Sequence, residues 1–393
     1  MARHLIIRHR DRTLAVSRRQ TGFERATALA LGLVLVASSA AAAEATLSVT
    51  ILDLPFKAKA MRGPGSEVAL AAATSGVIPL ARPKPASADP RAVRKPDEGE
   101  AAPVAVVWGE EGGAVLSLAD GAIRTTLIGA EAVEGLAAAE TPRVAVPGSR
   151  RAVAGPISAY FTGPLRATGQ AGGLTIRERQ PIGVTSDPKP VPVATATVAP
   201  GADTVFAARK PRIAVLDGQP AVLAVTVDAL GASALDVLMK RDEVWRIVAR
   251  TPPQAGGVAL VVAGVADFAG TGRAQIAAIR GPDTLQLWSL GDGALNLAQE
   301  APGYGGPPAG DDADLSAVLP PEKDGPTELA LPVADRSALA LVAFKGGITE
   351  RARASLPAPA AFGVAALGRG AEARILVGLS DGRIAVVSEG ARP

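Results

Sequence analysis

No cysteine occurs among the 393 residues, and the only two histidines are His4 and His9, both in a strongly basic N-terminal stretch. Without cysteine there is no thiol nucleophile, no disulfide and no thiolate metal site. If the N-terminal stretch is removed, imidazole bases, Ser-His-Asp triads and histidine-ligated zinc, copper or haem go with it. Carboxylate, Lys, Tyr and Ser/Thr chemistry remains, together with oxygen-ligated hard cations. Aromatics are scarce as well: 3 Trp, 2 Tyr and 7 Phe make 3% of the chain, fewer than the stacking platforms of sugar binders use. There is no G-x-S-x-G, no GK[ST] phosphate loop and no H-E-x-x-H. A long apolar run is also lacking. Residues 26–37 (ATALALGLVLVA) are only 12 long, against about 20 for a membrane-spanning helix.

That short run sits in a recognisable context. Seven arginines precede it within the first 25 residues, and Ser38, Ser39 and the alanines up to Ala43 follow it. A basic segment, a short apolar segment and an A-x-A end make a secretory signal peptide, with cleavage expected after Ala43. Ser17-Arg18-Arg19 hints at a twin-arginine signal, although Thr21 stands where that signal wants an aromatic. The expected address is periplasmic or extracellular, with no transmembrane segment left after cleavage. The whole chain has a formal net charge of +3; without the seven Arg and two acids of 1–43, 34 basic residues face 36 acidic ones. No electrostatic case for nucleic acid remains.

There are 43 Gly and 32 Pro against 48% hydrophobic residues, which favours many short elements around a substantial core. TLSVTILDL (46–54) reads as a strand. Residues 81–103 are rich in Pro, Ala and charge without apolar period, and read as a solvated loop. From residue 104 onward, apolar runs of five to seven residues alternate with Gly, Pro, Asp and Ser. VAVVW (104–108), AVLSL (114–118) and IRTTLI (123–128) are strand candidates, RVAVPG (143–148) and ISAYF (157–161) less regular ones, and VPVATATV (191–198) another.

The second half repeats itself in units at 206–255, 256–307, 308–358 and 359–393. Placing their second strands in register aligns Leu223, Ile276, Leu329 and Ile375, spaced 53, 53 and 46 residues apart. Four short antiparallel strands per repeat are the grammar of a β-propeller blade. The expected fold is therefore all-β: a propeller of six blades, or seven if 131–205 holds an extra one. The last unit lacks a fourth strand, and 46–54 is a spare one, so the N-terminal strand is expected to close the ring in the last blade.

GVADFAGTGRAQIAAI (264–279) resembles the FG-GAP or VCBS repeat, whose acidic loop opens a β run; TPRV (141–144) and KPRI (210–213), each expected to open a strand, recur in such repeats. The resemblance spans about 206–390. It implies a propeller like the head of integrin α chains and of secreted bacterial proteins, with calcium in some loops. The calcium positions carry over poorly. Asp267 keeps the first ligand, but Ala269, Thr271 and Gln275 replace the other acids; Glu322, Asp324 and Glu328 fit later places of another loop whose first position is Pro320. Calcium needs six to eight oxygens, so no cofactor is expected, and the low-ranking calcium loop is Glu322, Asp324 and Glu328, with Asp267 in its neighbour.

Other signals read as ordinary structure. GRGAEA (368–373) leads into a strand rather than a helix, and SDPK (186–189) has Pro188 inside the motif. Asp311, Asp312 and Asp314 read as a solvated loop, and Glu110-Glu111 as a hairpin turn. Trp108, Trp245 and Trp288 lie in strands and read as core, whereas Tyr160, Phe161 and Tyr304 lie near Gly/Pro turns and are candidates for an exposed contact surface. Together these readings describe a monomeric, exported propeller that is not an enzyme, with no catalytic residues. It would act as a scaffold or a module binding an unidentified protein or envelope ligand. An envelope assembly or adhesion factor is the alternative, and a carboxylate-based propeller glycosidase or lyase a more distant one.

Overall fold

A computed structural model describes residues 47–76, 103–165, 168–181, 190–207, 210–255, 257–308, 310–311, 313–321 and 325–390. The leader 1–43, residues 81–102 of the Pro-rich loop, SDPK at 186–189, Asp312, Glu322 and Asp324 lie outside them.

Among the described residues the fold is all-β with two short helices, and every strand pair is antiparallel. Strands follow one another as meanders. The first group runs from Ala60–Arg62 to Ala122–Ile128, the second from Ala152–Ala154 to Val193–Val198, and the third from Arg212–Leu216 to Val244–Arg250. The fourth runs from Val261–Ala266 to Ala294–Pro302, the fifth from Ala317–Leu319 to Thr349–Ser355, and the last from Ala360–Leu367 to Ile384–Glu389. The second and third merge into one nine-stranded sheet because the extra strand Thr204–Phe206 pairs with both Ala171–Arg179 and Gln219–Asp228. The last group is completed by the N-terminal strand Leu47–Leu52, which runs from Leu47 opposite Glu389 to Leu52 opposite Ile384. These four-stranded antiparallel units make the architecture propeller-like.

Local chemistry accounts for the meanders. Asp217-Gly218 and Asp292-Gly293 form two-residue hairpin loops with positive φ throughout (48° and 73°, 51° and 74°). Such primed turns match the twist of the flanking strands, and Asp-Gly is among the pairs that adopt them most cheaply. Leu223, Ile276, Leu329 and Ile375 all fall in second strands and all are buried. Second strands are enclosed on both faces, hence their continuous apolar runs such as Ala221–Val225.

Each group packs on the next. Leu339 and Leu341 of the fifth share a core with Val377 and Leu379 of the last. Leu223 and Val237 of the third meet Ile276 and Trp288 of the fourth. Leu376 and Ile384 of the last meet Ala105, Val107 and Leu116 of the first. The joint between the first and second groups differs. There helix α1 (Glu67–Thr74), capped by Ser66 Oγ accepting from Ala69 N–H at 3.2 Å, lays Val68, Ala69 and Ala72 on Val104, Val106 and Val115. Helix α2 (Ala130–Ala139) adds Val133. The contacts that cross to Arg151, at the start of the second group, are polar. Arg151 pairs with Glu67, while the buried Arg62–Glu140 pair, 2.9 Å from Nε to Oε2, ties the first group to the end of α2.

Several expectations change. RVAVPG forms no strand beyond a single bridge from Ala145 to Thr162, and TPRV opens none: Val144 is exposed. Pro142 and Pro147 bracket the segment and remove two ladder donors. Tyr160, Phe161 and Tyr304 are buried, not exposed: the strand Ile157–Pro164 is covered on both faces at Tyr160 and Phe161, and Phe161 stacks on Phe206 with centroids 5.3 Å apart.

Candidate functional site

The first strand of every group, or the residues next to it, lines one cavity of about 360 Å³. Gly63, Val153, Ile213, Ala263, Val318 and Ala365 contribute one position each. First strands enclosing a shared space define an axis, and the residues that turn into it can act together although they are far apart in sequence.

The chemistry is concentrated at one place on this axis. Asp314 lies in the segment leading into the strand Ala317–Leu319, pinned where its carbonyl accepts from Val364 N–H at 2.7 Å. Its carboxylate gathers three cations. Lys210 Nζ donates to Oδ2 at 2.9 Å, an Arg212 guanidinium nitrogen donates to Oδ1 at 3.0 Å, and Arg150 stands 3.6 Å from Oδ2. Lys210 and Arg212 flank Pro211 at the start of an inner strand, so both side chains leave the backbone on the axial side. Their side chains retain 15% and 28% of their exposure, through the cavity.

Burial alone would raise the Asp314 carboxyl, but the fields of Lys210, Arg212 and Arg150 outweigh it and hold the group well below the usual carboxylate range. Burial also pushes the Lys210 ammonium down, to about 8. Asp314 opposes that fall and the two guanidinia assist it. Among the described residues Lys210 and Arg212 thus share one carboxylate at the cavity wall, and burying cations is costly unless anions complete them.

The residues singled out from sequence do other work. Asp267 closes its own loop: its carboxylate accepts from the N–H groups of Thr271 at 2.8 Å and Gly272 at 2.6 Å. Glu328 is held by Arg351, 2.7 Å from Oε2, and the same guanidinium reaches Glu389. No group of three acidic, His or Cys side chains placed to hold a metal occurs among the described residues. Glu110 is fully exposed and paired with Lys59. Trp245 and Trp288 are buried in sheets, and Trp108 lies under the Arg62 guanidinium at 5.1 Å. Asp314 corrects the reading of 311–314 as a solvated loop: it is the hub of the axial cluster. Lys210 and Arg212 stand in the KPRI stretch, legible in sequence only as a strand opener. The available signal was two cations two residues apart at the mouth of an inner strand.

No family model and no curated protein matches the chain. Among solved structures it is similar to the Trypanosoma rangeli sialidase in complex with the inhibitor DANA, at 13% identity and a TM-score of 0.40. It is also similar to a mutant of that sialidase displaying trans-sialidase activity, at 13% identity and a TM-score of 0.41. Each match covers 73% of this chain and 52% of the other, so the chain spans about half the length of these structures. Both are enzymes. The expectations of a non-catalytic module and of a chain without enzymatic activity, which rested on missing His and Cys, are corrected on that finding. Neither substrate nor mechanism carries over at this level of likeness. No described helix is long and apolar enough to cross a membrane.

Proposed function

We propose that the chain is a six-bladed propeller that takes a small carboxylate- or phosphate-bearing substrate into its axial cavity. Lys210 and Arg212 would bind the anionic group, and Asp314 would hold the two cations in place. The observation that carries this reading is the convergence of Lys210 and Arg212 on the Asp314 carboxylate at the wall of a cavity of about 360 Å³. That volume is at the small end of ligand sites. The lining by six inner strands supports the blade count, and the pairing of Leu47–Leu52 with Ile384–Glu389 supports closure through the N-terminal strand. The FG-GAP-like stretch 264–279 fits the same architecture. Export through the leader 1–43 is part of the proposal, and N-terminal sequencing of secreted protein should then begin near Glu44.

The binding test is a thermal melt with phosphate and with lactate, against glycerol as the uncharged control. A ligand at about 100 times its Kd adds roughly 2.7 kcal/mol, an obvious shift. The shift should appear with the anions only and disappear in the Lys210→Met/Arg212→Met double variant. Equal shifts in parent and variant, or none in the parent, would refute the reading.

A further inference from the structure

Resting on that anion-site reading, we propose that Lys210 is a covalent site: its amine, set between Asp314 and Arg212 on the cavity wall, forms an imine with a small 2-oxo carboxylate.

The geometry favours this over ion pairing alone. Two serine hydroxyls line the cavity, and both are committed as donors to backbone carbonyls, Ser66 to Gly63 at 2.8 Å and Ser316 to Ala263 at 2.7 Å. Lys210 supplies the amine. Arg212 spends one guanidinium nitrogen on Asp314, which leaves its other donors for a ligand carboxylate. A 2-oxo acid held there by its carboxylate carries its carbonyl carbon one bond away, and Lys210 lines the same cavity and shares the Asp314 carboxylate with Arg212. Among the described residues the charged groups facing this amine are Asp314, Arg212 and Arg150, with Arg151 further along the same cavity. Desolvation and neighbouring guanidinia are the means by which lysine is made nucleophilic near neutral pH. Here they bring the ammonium to about 8, so a substantial fraction is uncharged in mildly alkaline solution.

The step balances without an oxidant or reductant. The uncharged amine attacks the carbonyl carbon, forming the C–N bond while the carbonyl π pair moves to oxygen. A proton passes from nitrogen to that oxygen to give the carbinolamine. Loss of the hydroxyl with one proton from solvent releases water and leaves a protonated imine. The positive charge shed by Lys210 on deprotonation thus returns to the same nitrogen, beside the same Asp314 carboxylate, which accepts its N–H.

The test is reductive trapping on the intact protein. Pyruvate with sodium cyanoborohydride at pH 8 converts an imine into a stable secondary amine, which peptide mapping by mass spectrometry locates. The adduct should form at Lys210 at least about tenfold faster than at exposed lysines, whose amines are almost wholly protonated there. Acetone, a carbonyl without a carboxylate, should label Lys210 far less. Lys210→Arg, which keeps the charge without the amine, should not be trapped. A lactate-induced melting shift with no pyruvate adduct at Lys210 overturns the covalent proposal and leaves the anion site standing. Neither shift nor adduct overturns both. Adducts spread over surface lysines at similar rates also overturn it.

Discussion

Asp314 accepts a hydrogen bond from Lys210 at 2.9 Å although 104 residues separate them in sequence. Lys210 leads into the third group of strands and Asp314 into the fifth, so the contact exists only once the intervening group has been laid down and the axis formed.

Lys210 gives stability and binding opposite pH dependences. Its folded-state ammonium lies near 8, below the unfolded value near 10.4. Between those values the unfolded chain holds the proton and the folded one does not, so this group makes stability rise with pH by at most about 3 kcal/mol. The parent should gain melting temperature from pH 8 to 10 relative to Lys210→Met in the absence of ligand. Anion affinity should fall over the same window as the charge disappears. Melts and titration calorimetry of parent and variant at four pH values would show the crossing; parallel trends would contradict it.

Asp314→Asn removes the carboxylate that Lys210 and Arg212 share. Breaking a buried pair from one side costs about 3–5 kcal/mol. Lys210 has an escape, since without Asp314 it can shed its proton, so the loss should be smaller at pH 9 than at pH 6. Added phosphate should recover part of it. Denaturant melts at both pH values, with and without phosphate, measure each effect. A loss that is independent of both pH and phosphate would mean Asp314 serves packing alone.

Strand register and turns were readable because they are set by neighbours in sequence. Asp217-Gly218 dictates a hairpin on its own, and the 53-residue spacing of Leu223, Ile276 and Leu329 follows from equal units. The axial site was not readable, because it is assembled from the starts of different units by closure of the ring. KPRI in isolation is only a polar entry to a strand. Helices α1 and α2 were missed for another reason: EVALAAAT and AEAVEGLAAA are short and Ala-rich, with weak amphipathic patterns. Alanine's helix propensity and the surface offered by Val104, Val106 and Val115 decide their conformation.

The Asp267 loop should be indifferent to calcium. Its carboxylate already accepts two backbone N–H groups, each worth about 1 kcal/mol net and more because the acceptor is charged. Asp267→Ala should cost about 2 kcal/mol, with no difference between calcium and EGTA. A calcium-dependent shift in the parent that Asp267→Ala abolishes would restore the metal reading.

The N-terminal strand should matter far beyond its six residues. Leu47–Leu52 lies along Ile384–Glu389, and Leu47 and Val49 pack against the core shared by the fifth and last groups. Deleting 44–56 removes several ladder hydrogen bonds of about 1 kcal/mol each and bares a strand edge. The truncated chain should aggregate or melt far lower, as turbidity and light scattering would show. Deleting 84–100 should leave melting within about 2 °C of the parent, a change of no more than about 1.5 kcal/mol. A normal melt for the first variant would rule out the closing role.

The joint between the first and second groups has its own consequence. Other neighbouring groups are glued by shared apolar cores, which involve no charge pair. This joint relies on helix α1 as a wedge and on the Glu67 carboxylate facing Arg151. That single ionic clasp is the weak link in the series of groups. Glu67→Gln, which takes the charged partner from Arg151, should loosen that joint before it loosens anything else. Hydrogen exchange of this variant should accordingly reach the amides of α1 and of the strand Ala152–Ala154 first, while the second strands of the remaining groups stay protected. Opened at that clasp, the axial space would communicate with solvent from the side as well as from its ends.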